Sequence, residues 1–347
     1  MITKAFLGLI LILSLALPTG ATEISAPEVP RSGQEWMPEN TDSFGNALVE
    51  LVRNGADLFH PELKNALQIS SRILFTALLF SLLPLFTEKL QGVVSFTGVV
   101  TIAAMMFENT ESMIVYASDT VWEICEYGKL LCPVLTTALA AQGGITASAA
   151  LYTGTTALIT LLSTLVSKWI IPMVYFFLAF SLAYSALGEE IMKKFADTIK
   201  NTMSWLLKTL LIIFTTYLGL TGVISGTTDA AALKAAKITI SSVVPVVGGI
   251  LSDASETVLV TMGIMKNTAG IYGILAVLAV FLGPFIKVGV QFMILKVSAA
   301  ICGLLGNKSI SSLVESFSAA MGLLLAMVAA GCMMVLISTA CYLKGIG

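Results

Sequence analysis

The sequence predicts an all-α fold: a polytopic helical membrane protein with an internal duplication and Pro/Gly-broken or re-entrant helices, following a cleavable signal peptide. Three observations predict it. The first is composition: hydrophobic residues make up 56% and charged residues 12%, against about 25% charged in a soluble domain, and the mean hydropathy is +0.92. The second is run length. Several apolar runs approach the roughly 20 residues that carry a helix across a bilayer, and they are too long and too uniformly apolar for barrel strands. The third is proline placement. Downstream of Pro84 the chain has only Pro133, Pro172, Pro245 and Pro284, forming two pairs of internal spacing 39 set 112 residues apart.

The surroundings of the pairs match. Cys132-Pro133-Val134-Leu135 corresponds to Val244-Pro245-Val246-Val247, and Trp169-Ile170-Ile171-Pro172 to Phe281-Leu282-Gly283-Pro284. Thr156-Ala157 corresponds to Thr268-Ala269 and, after a short slip, Leu187-Gly188 to Leu305-Gly306. Each first proline is followed by a glycine pair, Gly143-Gly144 and Gly248-Gly249. Proline inside a helix removes a donor and clashes with the preceding turn, so breaks in register point to a duplicated unit. In a membrane protein, paired breaks in two halves point to a substrate or ion path. Coincidence in a compositionally narrow chain is the competing reading.

Residues 1–21 read as the signal peptide, with Lys4 ahead of an apolar core from Ala5 to Leu17 and cleavage after Ala21. Residues 22–68 form an acidic extracytoplasmic segment. Eight carboxylates (Glu23, Glu28, Glu35, Glu39, Asp42, Glu50, Asp57, Glu62) face Arg31, Arg53 and Lys64. Its prolines make the first half extended, and Leu48, Leu51, Val52 and Phe59 make the second half an amphipathic helix. The lone His60, beside Pro61, reads as a helix-end or surface residue.

Residues 69–127 hold two N-terminal spans, Ile73 to Thr87 and Leu90 to Phe107, and an acidic loop with Glu108, Glu111, Asp119, Glu123 and Glu126. Membrane repeat 1 covers 128–226: a short piece Leu130–Ala141, then Ile145–Val166, Trp169–Leu187, an interfacial amphipathic helix from Gly188 to Asn201, and Trp205–Ile224. A linker, 227–242, precedes membrane repeat 2 at 243–347. That repeat holds Val243–Leu251, Val258–Leu282, Phe285–Leu305, an amphipathic segment Lys308–Phe317 and Met321–Leu343. Three full spans per unit would invert the second copy. The lysines leave this open: counting every span from an outside start puts Lys234, Lys237 and Lys308 inside but Lys193, Lys194 and Lys200 outside.

Candidate functional residues are few. The breaks come first: Pro133, Gln142, Gly143 and Gly144 in repeat 1, and Pro245, Gly248, Gly249, Asp253 and Glu256 in repeat 2. Asp253 can cap the following helix, with Glu256 completing a capping box. Irregular backbone at membrane depth survives only when buried in protein or lining a wet cavity; tight surface turns are the alternative. Lys287 and Gln291, with Ser298, share one helix face. A lysine facing lipid costs several kcal/mol, about 3 on insertion scales, so Lys287 faces the bundle interior or snorkels from the start of its helix. No zinc, phosphate-loop or nucleophile-elbow motif is present and the five cysteines lack metal spacing. No catalytic residue, cofactor or metal is therefore expected, and no basic block indicates nucleic acid.

Three stretches, Cys132–Gly144 (CPVLTTALAAQGG), Lys237–Leu259 (KITISSVVPVVGGILSDASETVL) and Lys266–Gly273 (KNTAGIYG), resemble the stage III sporulation protein AE family of endospore-forming bacteria. The resemblance spans roughly residues 70–343. It implies a multi-pass component of the channel complex between mother cell and forespore, in the mother-cell membrane surrounding the forespore. The implied partners are the membrane, the other subunits of that complex and a forespore partner complex. A free-standing secondary transporter with inverted repeats, and a membrane scaffold subunit without its own path, are the alternatives; scarce intramembrane charge weakens the transporter.

Overall fold

Apolar residues three and four apart, not breaks, dominate the architecture. The structure, a computed structural model, describes residues 27–38, 44–83, 91–141, 145–220 and 268–346. Among them all regular structure is helical: α1 (Arg31–Gln34), α2 (Phe44–Leu82), α3 (Gln91–Ala141), α4 (Ile145–Leu165), a π-helical turn (Val166–Ile170), α5 (Ile171–Leu187), α6 (Glu190–Leu220), α7 (Thr268–Leu304) and α8 (Lys308–Ile346). Six helices are long and apolar enough to cross a membrane, counting α4, the π turn and α5 as one rod. The signal peptide, the residue 227–242 linker and the Val243–Leu251 piece lie outside the described residues.

The rods are longer than the spans read from composition, and three expectations are corrected. The acidic stretch from Glu108 to Lys129 is not a loop but the middle of α3. Met106, Met113, Ile114, Ala117, Val121, Ile124 and Cys125 are buried along one side of it, while Glu108, Glu111 and Asp119 are exposed on the other. Overall polarity hid that helical period. Leu130–Ala141 is accordingly the end of α3, with Pro133 inside it, rather than a separate piece. The amphipathic segments are likewise not separate: 44–59 continues into the span of α2, 190–201 into that of α6, and Lys308–Phe317 into that of α8.

Proline interrupts the ladder without ending the rods. Pro61, Pro133 and Pro284 sit inside α2, α3 and α7. Before Pro172 the helix widens into the π turn, the local adjustment that absorbs a missing donor and the ring clash. Glycine ends the rods instead. Gly188 (φ 75°) and Gly306 (φ 82°) are the only residues with positive φ among those described. The Gly188 N–H donates to the Tyr184 carbonyl at 2.8 Å and the Gly306 N–H to that of Gly303 at 3.1 Å. This is the left-handed termination that glycine adopts without a Cβ penalty.

Rods that follow one another along the chain run antiparallel, whereas α2 lies parallel to α7 and α3 parallel to α8. Phe80 of α2 packs on Gly98 of α3, Ile159 of α4 on Gly128 of α3, and Leu131 of α3 on Gly273 of α7. Phe195 of α6 stacks on Phe180 of α5, and Ser318 of α8 donates to the Phe292 carbonyl of α7 at 3.0 Å. The Gly188 and Gly306 turns therefore share one face of the bundle. Lys193, Lys194 and Lys200 follow the first turn and Lys308 the second, so these lysines belong to one side. The conflict in the sequence reading came from counting Ile145–Leu187 and the run that forms α7 each as two crossings. The α7–α8 hairpin is the core: 78% of the most apolar stretch of α8 is buried, against 28% in α2. The other rods sheathe it and expose Phe75, Leu79, Trp122, Trp169 and Trp205. Apolar side chains facing outward around an apolar core are what lipid as solvent demands.

Candidate functional site: a polar seam along α7

The ionisable and amide residues expected on α7 lie on the face that meets α2 and α3. Just before them, Gly283-Pro284 lets neighbours approach closely: a Cβ at Gly283 would meet the Tyr116 hydroxyl at 2.7 Å and the Trp36 indole nitrogen at 3.8 Å. Pro284 also leaves the Val280 carbonyl without its intrahelical donor. The N-terminal strap fills this region. Gly33 of α1 lies so close that a Cβ there would come within 3.0 Å of the Val280 nitrogen. Ser32 fastens the strap to α3: its N–H donates to a Glu123 carboxylate oxygen at 3.3 Å, and its hydroxyl donates to the same oxygen. Asn54 of α2 donates to the Trp36 carbonyl at 3.5 Å.

Lys287 follows one turn later. Its ammonium lies 4.9 Å from the centre of the Tyr116 ring, a cation–π contact in place of an ion pair. Glu35, Glu62 and Glu123 surround Tyr116 at longer range and make the region favourable for a cation. Gln291, one further turn along, is buried at 4% exposure, and its amide nitrogen has no partner among the described residues. Beyond it the Ser298 hydroxyl donates to the Ile294 carbonyl at 2.7 Å, which leaves the Ser70 hydroxyl of α2, 2.5 Å away, to donate to it. Ser81 of α2 then donates to the Leu305 carbonyl at 3.0 Å. Lys296 turns away and pairs with Glu315 of α8 at 2.7 Å, both exposed. The seam thus runs from the Gly283-Pro284 break to the Gly306 turn.

The seam does not include every candidate. Pro133 is exposed on α3, and Leu131 beside it faces Gly273 while Tyr116 faces Lys287. Those two α3 positions are 15 residues apart, or about 22 Å along a helix, so Pro133 and Lys287 are not brought together. Gln142, Gly143, Gly144, Pro245, Gly248, Gly249, Asp253 and Glu256 lie outside the described residues. Tyr116, Trp36, Ser32, Glu123, Ser70 and Ser81 were not legible as members. Tyr116 falls on the inward phase of α3 with Met113 and Thr120, which was available once α3 is read as helix; nothing in the sequence marks Ser32 or Ser70.

Chemically the seam offers hydroxyls, an amide, one cation and the Glu123 carboxylate in an apolar bundle. Among the described residues no group of three His, Cys, Asp or Glu side chains could hold a metal ion.

The family model for Stage III sporulation protein AE matches residues 37–344. The stage III sporulation protein AE of Bacillus subtilis (strain 168) is 24% identical over 265 residues, covering 75% of this chain and 66% of the relative. The chain thus matches just under two thirds of that relative's length. No solved structure matches. With the family matched from the N-terminal strap to the end of α8, this chain belongs to the Stage III sporulation protein AE family.

Proposed function

We propose that this protein is a multi-pass membrane component of the channel complex linking mother cell and forespore, needed for late forespore development. It works in the mother-cell membrane around the forespore, together with the other subunits of that complex, and carries out no catalysis of its own. The observation that carries the reading is a family match spanning 308 residues, 37–344, on a bundle of six rods long and apolar enough to cross a membrane.

The internal duplication belongs to this proposal. Each unit would be a rod carrying an internal proline, a left-handed glycine and a second rod that begins amphipathic: Pro172, Gly188 and α6, then Pro284, Gly306 and α8. The α7 seam, with Lys287 and Gln291, is the polar route that such a component would contribute. Dense apolar packing elsewhere supports a scaffold around it. A signal peptide ending at Ala21 would place the strap outside the cytoplasm.

Co-purification tests the reading. An epitope-tagged chain isolated from sporulating cells of the native host after engulfment should bring down the other subunits of the complex. Isolation of the chain by itself, at full abundance and from the same cells, would contradict it. Lys287→Met and Gln291→Leu should keep that association while lowering heat-resistant spore yield at least tenfold.

A further inference from the structure

On its outer side α2 carries a shallow groove of about 360 Å3, lined among the described residues by His60, Leu63, Lys64, Leu67, Gln68 and Ser71. Steps of three and four residues gather these on one helix face, turned away from the side on which Ala66, Ser70 and Ile73 are buried. All but Leu63 are exposed. The donors of the groove are uncommitted. Lys64 has no ion pair, and the His60 ring and the Gln68 amide have no hydrogen bond among the described residues. The Ser71 hydroxyl alone is engaged, donating to the Gln68 carbonyl at 2.8 Å. Asp57, one turn before His60, is not part of the lining.

A cation and two neutral donors with no carboxylate among them fit an anion. Further along the same helix the exposed residues turn apolar: Phe75, Leu78, Leu79 and Leu82. Eighteen residues separate Lys64 from Leu82, about 27 Å of helix, close to the roughly 30 Å of a hydrocarbon core. Lys64 therefore stands at a membrane boundary, from which its ammonium snorkels to the level of lipid phosphates. Gln68 lies about 6 Å deeper, where ester carbonyls replace phosphates as acceptors. We propose that this groove binds an anionic phospholipid. Its phosphate meets Lys64 and His60, an ester carbonyl accepts from the Gln68 amide, and its chains run along Leu67, Phe75 and Leu79. The inference does not rest on the proposed sporulation role.

The five native cysteines are buried, so a thiol-reactive fluorophore attaches selectively to an added one. Phe75→Cys places it beside the bound chains. Phe176→Cys on α5, where the side chain is also exposed, is the reference for lipid met at random. The full chain is reconstituted in vesicles of phosphatidylcholine and phosphatidylglycerol, with one of the two lipids at a time carrying brominated, quenching chains. In Phe75→Cys, brominated phosphatidylglycerol should quench about fivefold more per mole than brominated phosphatidylcholine, the preference that one lysine confers at an anionic surface. In Phe176→Cys the two should quench equally. Lys64→Gln should bring the ratio in Phe75→Cys down to that in Phe176→Cys. Equal quenching by the two lipids in Phe75→Cys overturns the proposal. The same preference at both positions also overturns it, because anionic lipid then gathers around the whole protein. So does a preference that survives Lys64→Gln. A Phe75→Cys fluorophore quenched by neither lipid overturns it as well, since protein then covers the face.

Discussion

Gly154 shows how tightly single positions are specified. A Cβ there would lie 2.0 Å from the Tyr217 ring, a separation no real Cβ adopts, so Gly154→Ala forces that ring off its contact with Ala150. The expected cost is about 1–3 kcal/mol, read as a lower melting temperature in detergent. Gly45→Ala is the control. Nothing lies within 4 Å of its Cβ position, and replacing a helical glycine should stabilise by about 0.5–1 kcal/mol. Tyr116 sets a second residue-scale test. Tyr116→Leu removes the ring under Lys287 and should destabilise by about 1–2 kcal/mol beyond the lost packing, whereas in Lys287→Met the same substitution should lose only the packing term. A double-mutant cycle with no coupling would contradict the cation–π assignment.

At the scale of elements, helix ends were more legible than helix middles. The alignment of Leu187-Gly188 with Leu305-Gly306 picked out the two residues that adopt positive φ, because a left-handed termination leaves a glycine in the sequence. Proline was the weaker guide. Read as a terminator, it divided Ile145–Leu187 and Thr268–Leu304 into pairs of spans, yet a π turn and close neighbours keep each rod continuous. The acidic middle of α3 was missed for a similar reason: a helix twice as long as a bilayer is thick keeps its inward face while its outer face turns polar. If the two glycine turns are equivalent, Gly188→Ala and Gly306→Ala should each destabilise by about 1–2 kcal/mol. Nothing within 4 Å crowds either Cβ position, so the backbone penalty alone is measured. A neutral result at either would show that its turn tolerates another conformation.

For the whole molecule, six antiparallel rods put both ends of the bundle, Phe44 and Ile346, on the face opposite the Gly188 and Gly306 turns. The lysines after those turns give that face its positive charge, which the positive-inside rule assigns to the cytoplasm. Single cysteines at Glu189 and Asn307, in a chain stripped of its own five, should react with an impermeant thiol reagent from the cytoplasmic side, and one at Gly45 from the other. Labelling of Glu189 and Asn307 positions from opposite sides would break the six-rod arrangement. The site was less legible than the fold. Lys287 and Gln291 stood out because charge and amide are rare in an apolar run, while Trp36, Tyr116 and Ser70 join them only through tertiary packing. The central claim, a component of the channel complex in sporulation, is tested most directly by deleting the gene in its native host and scoring growth and heat-resistant spores. Normal vegetative growth with arrest after engulfment is the predicted result. Normal spore counts would contradict it.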